Sequence, residues 1–105
     1  MTTVAERVGR GAALLDEKMP GWDKLINLDE LWQRSACECV LGQLWAEDAG
    51  AQERNGGYWP ALEQLGMPAY PTRIPTEYGF AAESADDYDE LDAEWQKLIL
   101  SRRSA

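Results

Sequence analysis

Residues 35–45 read Ser-Ala-Cys-Glu-Cys-Val-Leu-Gly-Gln-Leu-Trp, and no other stretch of the chain restricts the fold as tightly. Ser35 followed by Glu38 is a capping box, in which each side chain satisfies an amide stranded at a helix start. Cys37, Val40, Leu41, Leu44 and Trp45 then recur at i, i+3, i+4, i+7 and i+8, the spacing of one helical face. The other side is small rather than polar, with Ala36, Cys39, Gly42 and Ala46, so Glu38, Gln43 and Glu47 are its hydrophilic positions. A short helix that is apolar or small nearly all round needs neighbours on several sides. The sequence therefore predicts a central buried helix over residues 36–47. Gly42 costs about 1 kcal/mol against alanine at a mid-helix position, so it marks a point where another backbone comes close.

The remaining segments supply its covering. Thr3 and Glu6 form a second capping box, opening a helix whose buried stripe is Val4, Val8, Gly11 or Ala12, and Leu15. Met19-Pro20-Gly21 ends it, because proline disfavours helix for its predecessor. Trp22 to Trp32 is an apolar connector in which Asn27 and Glu30 cap a short helix over residues 28–34, with a break near Ser35. Asp48 to Gly57 reads as an exposed loop. A third helix starts around Pro60, with Tyr58, Trp59, Leu62 and Leu65 on its apolar face and Gly66 as its stop. Residues 66–81 form a stiff proline-rich connection anchored by Tyr70, Ile74, Tyr78 and Phe80. Ser84 with Asp87 caps a last helix that runs to about residue 101, with Tyr88, Leu91, Trp95, Leu98 and Ile99 on one side. The expected fold is all-α, a compact single-domain array of about four helices over residues 1–105. A chain of this length buries about 60–70% of its unfolded surface.

Nineteen acidic against ten basic residues give a net charge of −9, which argues against unassisted binding to nucleic acid or to an anionic membrane. No run of 18 or more apolar residues and no signal-peptide pattern is present, so the expected setting is the cytoplasm. With two cysteines and no histidine, the chain cannot build a standard structural zinc site alone, and no cofactor is implied. A thiol nucleophile needs a base to generate thiolate, typically histidine. Cys37 on the buried stripe and Cys39 among the small residues fit compact core hydrophobes instead. No catalytic residue is expected.

The segment Cys39-Val-Leu-Gly-Gln-Leu44 with Trp45 resembles the centre of a group of small uncharacterised actinobacterial and actinobacteriophage proteins. Gly11-Ala-Ala-Leu-Leu-Asp16, the Pro20-Gly21-Trp22 turn, the Gly79-Phe80 pair and the Tyr88…Leu91…Trp95 helix extend the resemblance across roughly residues 10–100. Ala51–Gly57 and the proline-rich segment Pro68–Thr76 are longer than that pattern leads one to expect. The resemblance implies a phage or bacterial setting, and no reaction.

The most distinctive polar feature is the acidic run Glu83, Asp86, Asp87, Asp89, Glu90, Asp92 and Glu94, with no Lys or Arg between Glu77 and Lys97. One explanation is a solvated helix start, where acids complement the macrodipole. The sharper reading makes Glu83, Asp86, Asp87, Asp89, Glu90 and Glu94 a docking surface for a basic host or phage protein. Asp86, Glu90 and Glu94 fall at i, i+4 and i+8, about 6 Å apart, close to the phosphate spacing of one DNA strand, so imitation of DNA charge is a special case. A different reading is a structural or assembly protein that self-associates through whichever of Trp32, Tyr58, Trp59 and Tyr70 are exposed. Trp22, Trp45 and Trp95 fit core positions.

Overall fold

The computed structural model describes residues 3–53, 55–67 and 74–104; Tyr70 and residues 68–73 lie outside them. Helix α1 spans Val4–Lys18 and a 3-10 turn follows at Trp22–Lys24. The short helices α2 (Val40–Leu44), α3 (Ala49–Glu53), α4 (Tyr58–Gln64) and α5 (Ile74–Glu77) come next. A second 3-10 turn at Ala85–Asp87 leads into α6, Tyr88–Arg103. Among the described residues there is no strand, so the fold is all-α. The Cα radius of gyration is 12.6 Å, close to the roughly 13 Å of a compact domain this long.

The two long helices follow their sequence patterns. Thr3 caps α1, its hydroxyl accepting the Glu6 amide at 3.1 Å, and Val8, Gly11, Ala12 and Leu15 are buried one turn apart. The helix stops where Met19 donates to the Leu15 carbonyl, just before Pro20. On α6, Leu91, Trp95 and Ile99 form the buried stripe, and this face packs against α1. Trp95 is the hub. Its ring lies edge-on to Trp22 at 5.8 Å and stacks on Phe80 at 5.8 Å, while its indole nitrogen donates to the Gly79 carbonyl at 2.7 Å. Each buried tryptophan removes enough apolar area for about 4–6 kcal/mol of transfer free energy.

The stretch predicted as a helix over 36–47 is helical only from Val40 to Leu44. The Ser35 hydroxyl accepts the Glu38 amide as expected, at 3.2 Å, but it also accepts Cys37, and the Ser35 amide turns back to the Trp32 carbonyl. Those bonds close a turn, not a continuing helix. Cys39 then adopts extended backbone (φ −70°, ψ 171°) and caps a fresh start, its sulfur accepting the Gly42 amide at 3.2 Å. The Val40 amide goes to the side chain of Gln33 at 2.8 Å. In consequence Cys37 is exposed, contrary to its assignment to the buried stripe, and its thiol donates to the Asn55 carbonyl at 3.4 Å. Cys39, Val40 and Leu41 are fully buried, whereas Leu44 and Trp45 are half-buried against the core.

Gly42 does mark a close approach. A methyl group there would overlap the Ala36 carbonyl oxygen and lie 2.7 Å from the Cys37 carbonyl carbon. The same Ala36 carbonyl accepts the Tyr58 amide at 3.1 Å, so the 36–38 turn is wedged between α2 and the start of α4. Other connectors differ from expectation. Residues 28–34 form turns, with Asn27 holding the Asp29 amide at 3.0 Å, rather than a helix. The predicted loop after Asp48 contains α3, because the Asp48 carboxylate accepts the Gly50 amide at 2.9 Å and Ala51 is buried. The 66–81 connection contains α5, started around Pro75. Gln43, one of the few hydrophilic positions of this stretch, ties α2 to the connector: its side chain accepts from the Asn27 amide at 2.7 Å and donates to the Asn27 and Glu38 carbonyls.

The end of α6 is pinned to the end of α1. Asp16 receives the Trp22 indole N–H at 2.9 Å and an ion pair from Arg102, whose guanidinium also lies over the Trp22 ring at 5.7 Å. Arg103 donates to the Asp23 and Ile26 carbonyls. The Arg102 hydrogen bond holds the Asp16 carboxyl below its ordinary 3.8, against a smaller opposing effect of burial. A depressed carboxyl pKa in the folded state stabilises above the unfolded value and loses that effect as pH falls through the folded one. Asp16→Asn is therefore expected to cost about 0.5–1 kcal/mol at neutral pH, in keeping with the half-exposed pair. It should also flatten the loss of stability below the ordinary carboxylate range, read by urea denaturation across an acid pH series.

Candidate functional site

The acidic segment enters α6 through the Ala85–Asp87 turn, and this changes its geometry. Asp86 belongs to the 3-10 turn, so of the three carboxylates predicted at helical spacing only Glu90 and Glu94 share an edge of α6. A 3-10 turn advances three residues per turn, which breaks the register that phosphate imitation needs. Ser84 also makes no side-chain cap.

The acids differ in what they do. Glu83 pairs with Arg7 of α1 at 2.9 Å. Asp92 is half-buried and accepts the Gln33 amide at 2.6 Å; burial raises its pKa, and that hydrogen bond opposes the rise. Asp89 is exposed, with Arg34 3.9 Å away. Asp87 and Glu94 are half-buried, and Glu94 borders a shallow hollow beside Lys97 and Val8. Asp86 and Glu90 are exposed and have no hydrogen-bond or ion-pair partner among the described residues. The six predicted binding residues thus separate into one internal ion pair, one long pair, two half-buried groups and two free carboxylates.

No known family model, curated protein or solved structure matches this chain. Its chemistry must be read from its own residues.

A cleft of about 270 Å³ opens next to the acidic turn. Tyr58, Trp59, Phe80 and Tyr88 wall it, and Gln33, Arg34 and Ser35 contribute its polar edge. Tyr58 meets Trp59 edge-on at 5.2 Å, forming a corner. Arg34 lies over the Tyr88 ring at 5.7 Å and donates to the Ala85 carbonyl at 2.9 Å, so it spans from the 33–39 turn to the acidic turn. Cys39 forms part of the floor. Burial pushes its thiol up to about 12, so it stays protonated at neutral pH and is no nucleophile in that state. The sequence did not single out Gln33 and Arg34, because polar residues in a turn carry no periodicity. The only sign of them was the polar interruption between Trp32 and Ser35.

Among the described residues no group of Cys, Asp and Glu is arranged to hold a metal ion, and no helix is long and apolar enough to cross a membrane. Of the aromatics named for self-association, Trp32 is exposed at 50%, whereas Tyr58 and Trp59 are half-buried and face each other.

Proposed function

We propose that the protein is a non-catalytic binding protein that docks a basic protein partner on its acidic edge, modulating that partner. Asp86 and Glu90 are the contact residues, and Asp87, Asp89 and Glu94 flank them. The observation that supports this reading is the unequal use of the acids: Asp16, Glu83 and Asp92 serve internal contacts, while the exposed Asp86 and Glu90 carboxylates have no partner among the described residues. Two exposed carboxylates on one edge, in a chain of charge −9, attract a cationic surface and raise its encounter rate. The setting implied by the resemblance is the cytoplasm of a bacterium, with a phage-encoded protein acting on its host as one form. DNA imitation is the less favoured version, because Asp86 leaves the helical register. Self-association through aromatics is less favoured too, since among the described candidates it would have to run through Trp32.

The test is affinity capture from bacterial lysate with the wild-type protein and with Asp86→Lys/Glu90→Lys, each at low and high salt. A basic protein retained by the wild type at low salt only, and lost with the double variant, is the expected result. Equal retention by both proteins, or nothing above background, contradicts the proposal.

A further inference from the structure

We infer that the cleft between the 33–39 turn and α6 is a binding site for a small aromatic acid, one ring carrying a carboxylate. Its polar edge offers hydrogen bonds and no carboxylate to accept them. Gln33 is the decisive residue. It is 5% exposed, and its side-chain oxygen is committed to the Val40 amide. Its side-chain nitrogen, unlike its backbone amide, has no acceptor among the described residues, yet no side-chain nitrogen or oxygen fully shut off from solvent is left without a partner there. The nitrogen is therefore not sealed from solvent, and the cleft is a space that Gln33 lines.

Three more residues that line the cleft carry donors: Ser35, Tyr58 and Arg34. The Ser35 oxygen accepts two backbone amides, which leaves its own hydrogen free to donate. Tyr58 is half-buried, its hydroxyl has no hydrogen-bond partner among the described residues, and burial raises its pKa, so it remains a phenol and a donor. Arg34 commits one N–H to Ala85, with Asp89 at 3.9 Å, and a guanidinium carries five donors in all. An acceptor-rich group is what such an edge can satisfy. The aromatic walls supply faces and edges for a planar ring.

Size agrees. A buried cavity of about 150 Å³ accommodates benzene, so 270 Å³ holds one ring and a carboxylate, and it falls short of the 300–1,000 Å³ typical of drug-sized ligands. The positive Arg34 selects an anion over a cation, even with the acidic turn at the rim.

The test titrates the full chain, labelled with nitrogen-15, with benzoate, benzamide or benzylamine. Benzoate is expected to shift the Gln33 side-chain amide and the Trp59 indole signals saturably in the millimolar range, with benzamide weaker and benzylamine weakest. Gln33→Glu keeps an oxygen for the Val40 amide but removes the donor and adds charge, and Arg34→Gln removes the cation; each should weaken benzoate by about tenfold. Arg34→Gln carries the test by itself if Gln33→Glu fails to fold. Benzylamine binding as tightly as benzoate, benzoate shifts confined to residues outside the cleft, or no saturable shift at all would overturn the inference. The readout does not involve Asp86 or Glu90, so it stands or falls separately from the docking edge.

Discussion

Trp95→Ala is expected to cost about 3–5 kcal/mol. The ring is fully buried, edge-on to Trp22 and stacked on Phe80, so truncation leaves a cavity between α1, α6 and the 79–80 turn. It also strands the Gly79 carbonyl, which loses the indole N–H at 2.7 Å. A chain of this size has roughly 5–15 kcal/mol of total stability, so the variant should be partly unfolded at room temperature. Trp95→Phe keeps much of the packing but still removes the N–H, and should fall between, at about 1–3 kcal/mol. Urea denaturation followed by circular dichroism ranks the three proteins. A loss below that of the phenylalanine variant would show that Trp95 is not the hub.

Opposite signs are expected from the same substitution at two glycines of one helix. In α1, a methyl group on Gly9 meets nothing within 4 Å, so Gly9→Ala should stabilise by about 0.5–1 kcal/mol through helix propensity alone. At Gly11 the methyl would overlap the Tyr78 carbonyl oxygen and crowd Phe80 and Trp95, each 3.1 Å away. The obstacle includes backbone, which cannot swing aside as a flexible side chain would. Gly11→Ala should therefore lose about 3 kcal/mol or more, at or beyond the upper end for overpacking. Thermal melts of the two variants test this directly, and a shift in the same direction for both would contradict the close approach of α1 to residues 78–79.

The long helices were legible because a single buried face is written in local spacing: Val8, Ala12 and Leu15 on α1, and Leu91, Trp95 and Ile99 on α6. The stretch 36–47 misled for a physical reason. Several of its amides are claimed in ways that spacing does not reveal: Gln33 takes Val40, the Cys39 sulfur takes Gly42, and Ser35 takes Cys37 besides the expected Glu38. Such competition by local side-chain acceptors shortened the helix to residues 40–44 and turned Cys37 outward. At Asp48 the same kind of acceptor did the reverse, starting α3 where the composition suggested a loop. The candidate sites show the same limit. Composition revealed the acidic run, but whether an acid is free depends on distant partners such as Arg7 for Glu83 and Gln33 for Asp92. The cleft was invisible because its walls come from three separate segments and its donors have no common spacing.

The proposed docking edge is the pair Asp86 and Glu90, whose carboxylates have no partner among the described residues, and not the overall negative charge. Titration of the nitrogen-15-labelled protein with a short Lys- and Arg-rich peptide at low salt tests it most directly. The expected shifts centre on residues 86 and 90, spread to their neighbours at 87, 89 and 94, leave residues 16 and 48 unmoved, and vanish with Asp86→Lys/Glu90→Lys. Shifts distributed evenly over the exposed acids, or persisting in that variant, would contradict it.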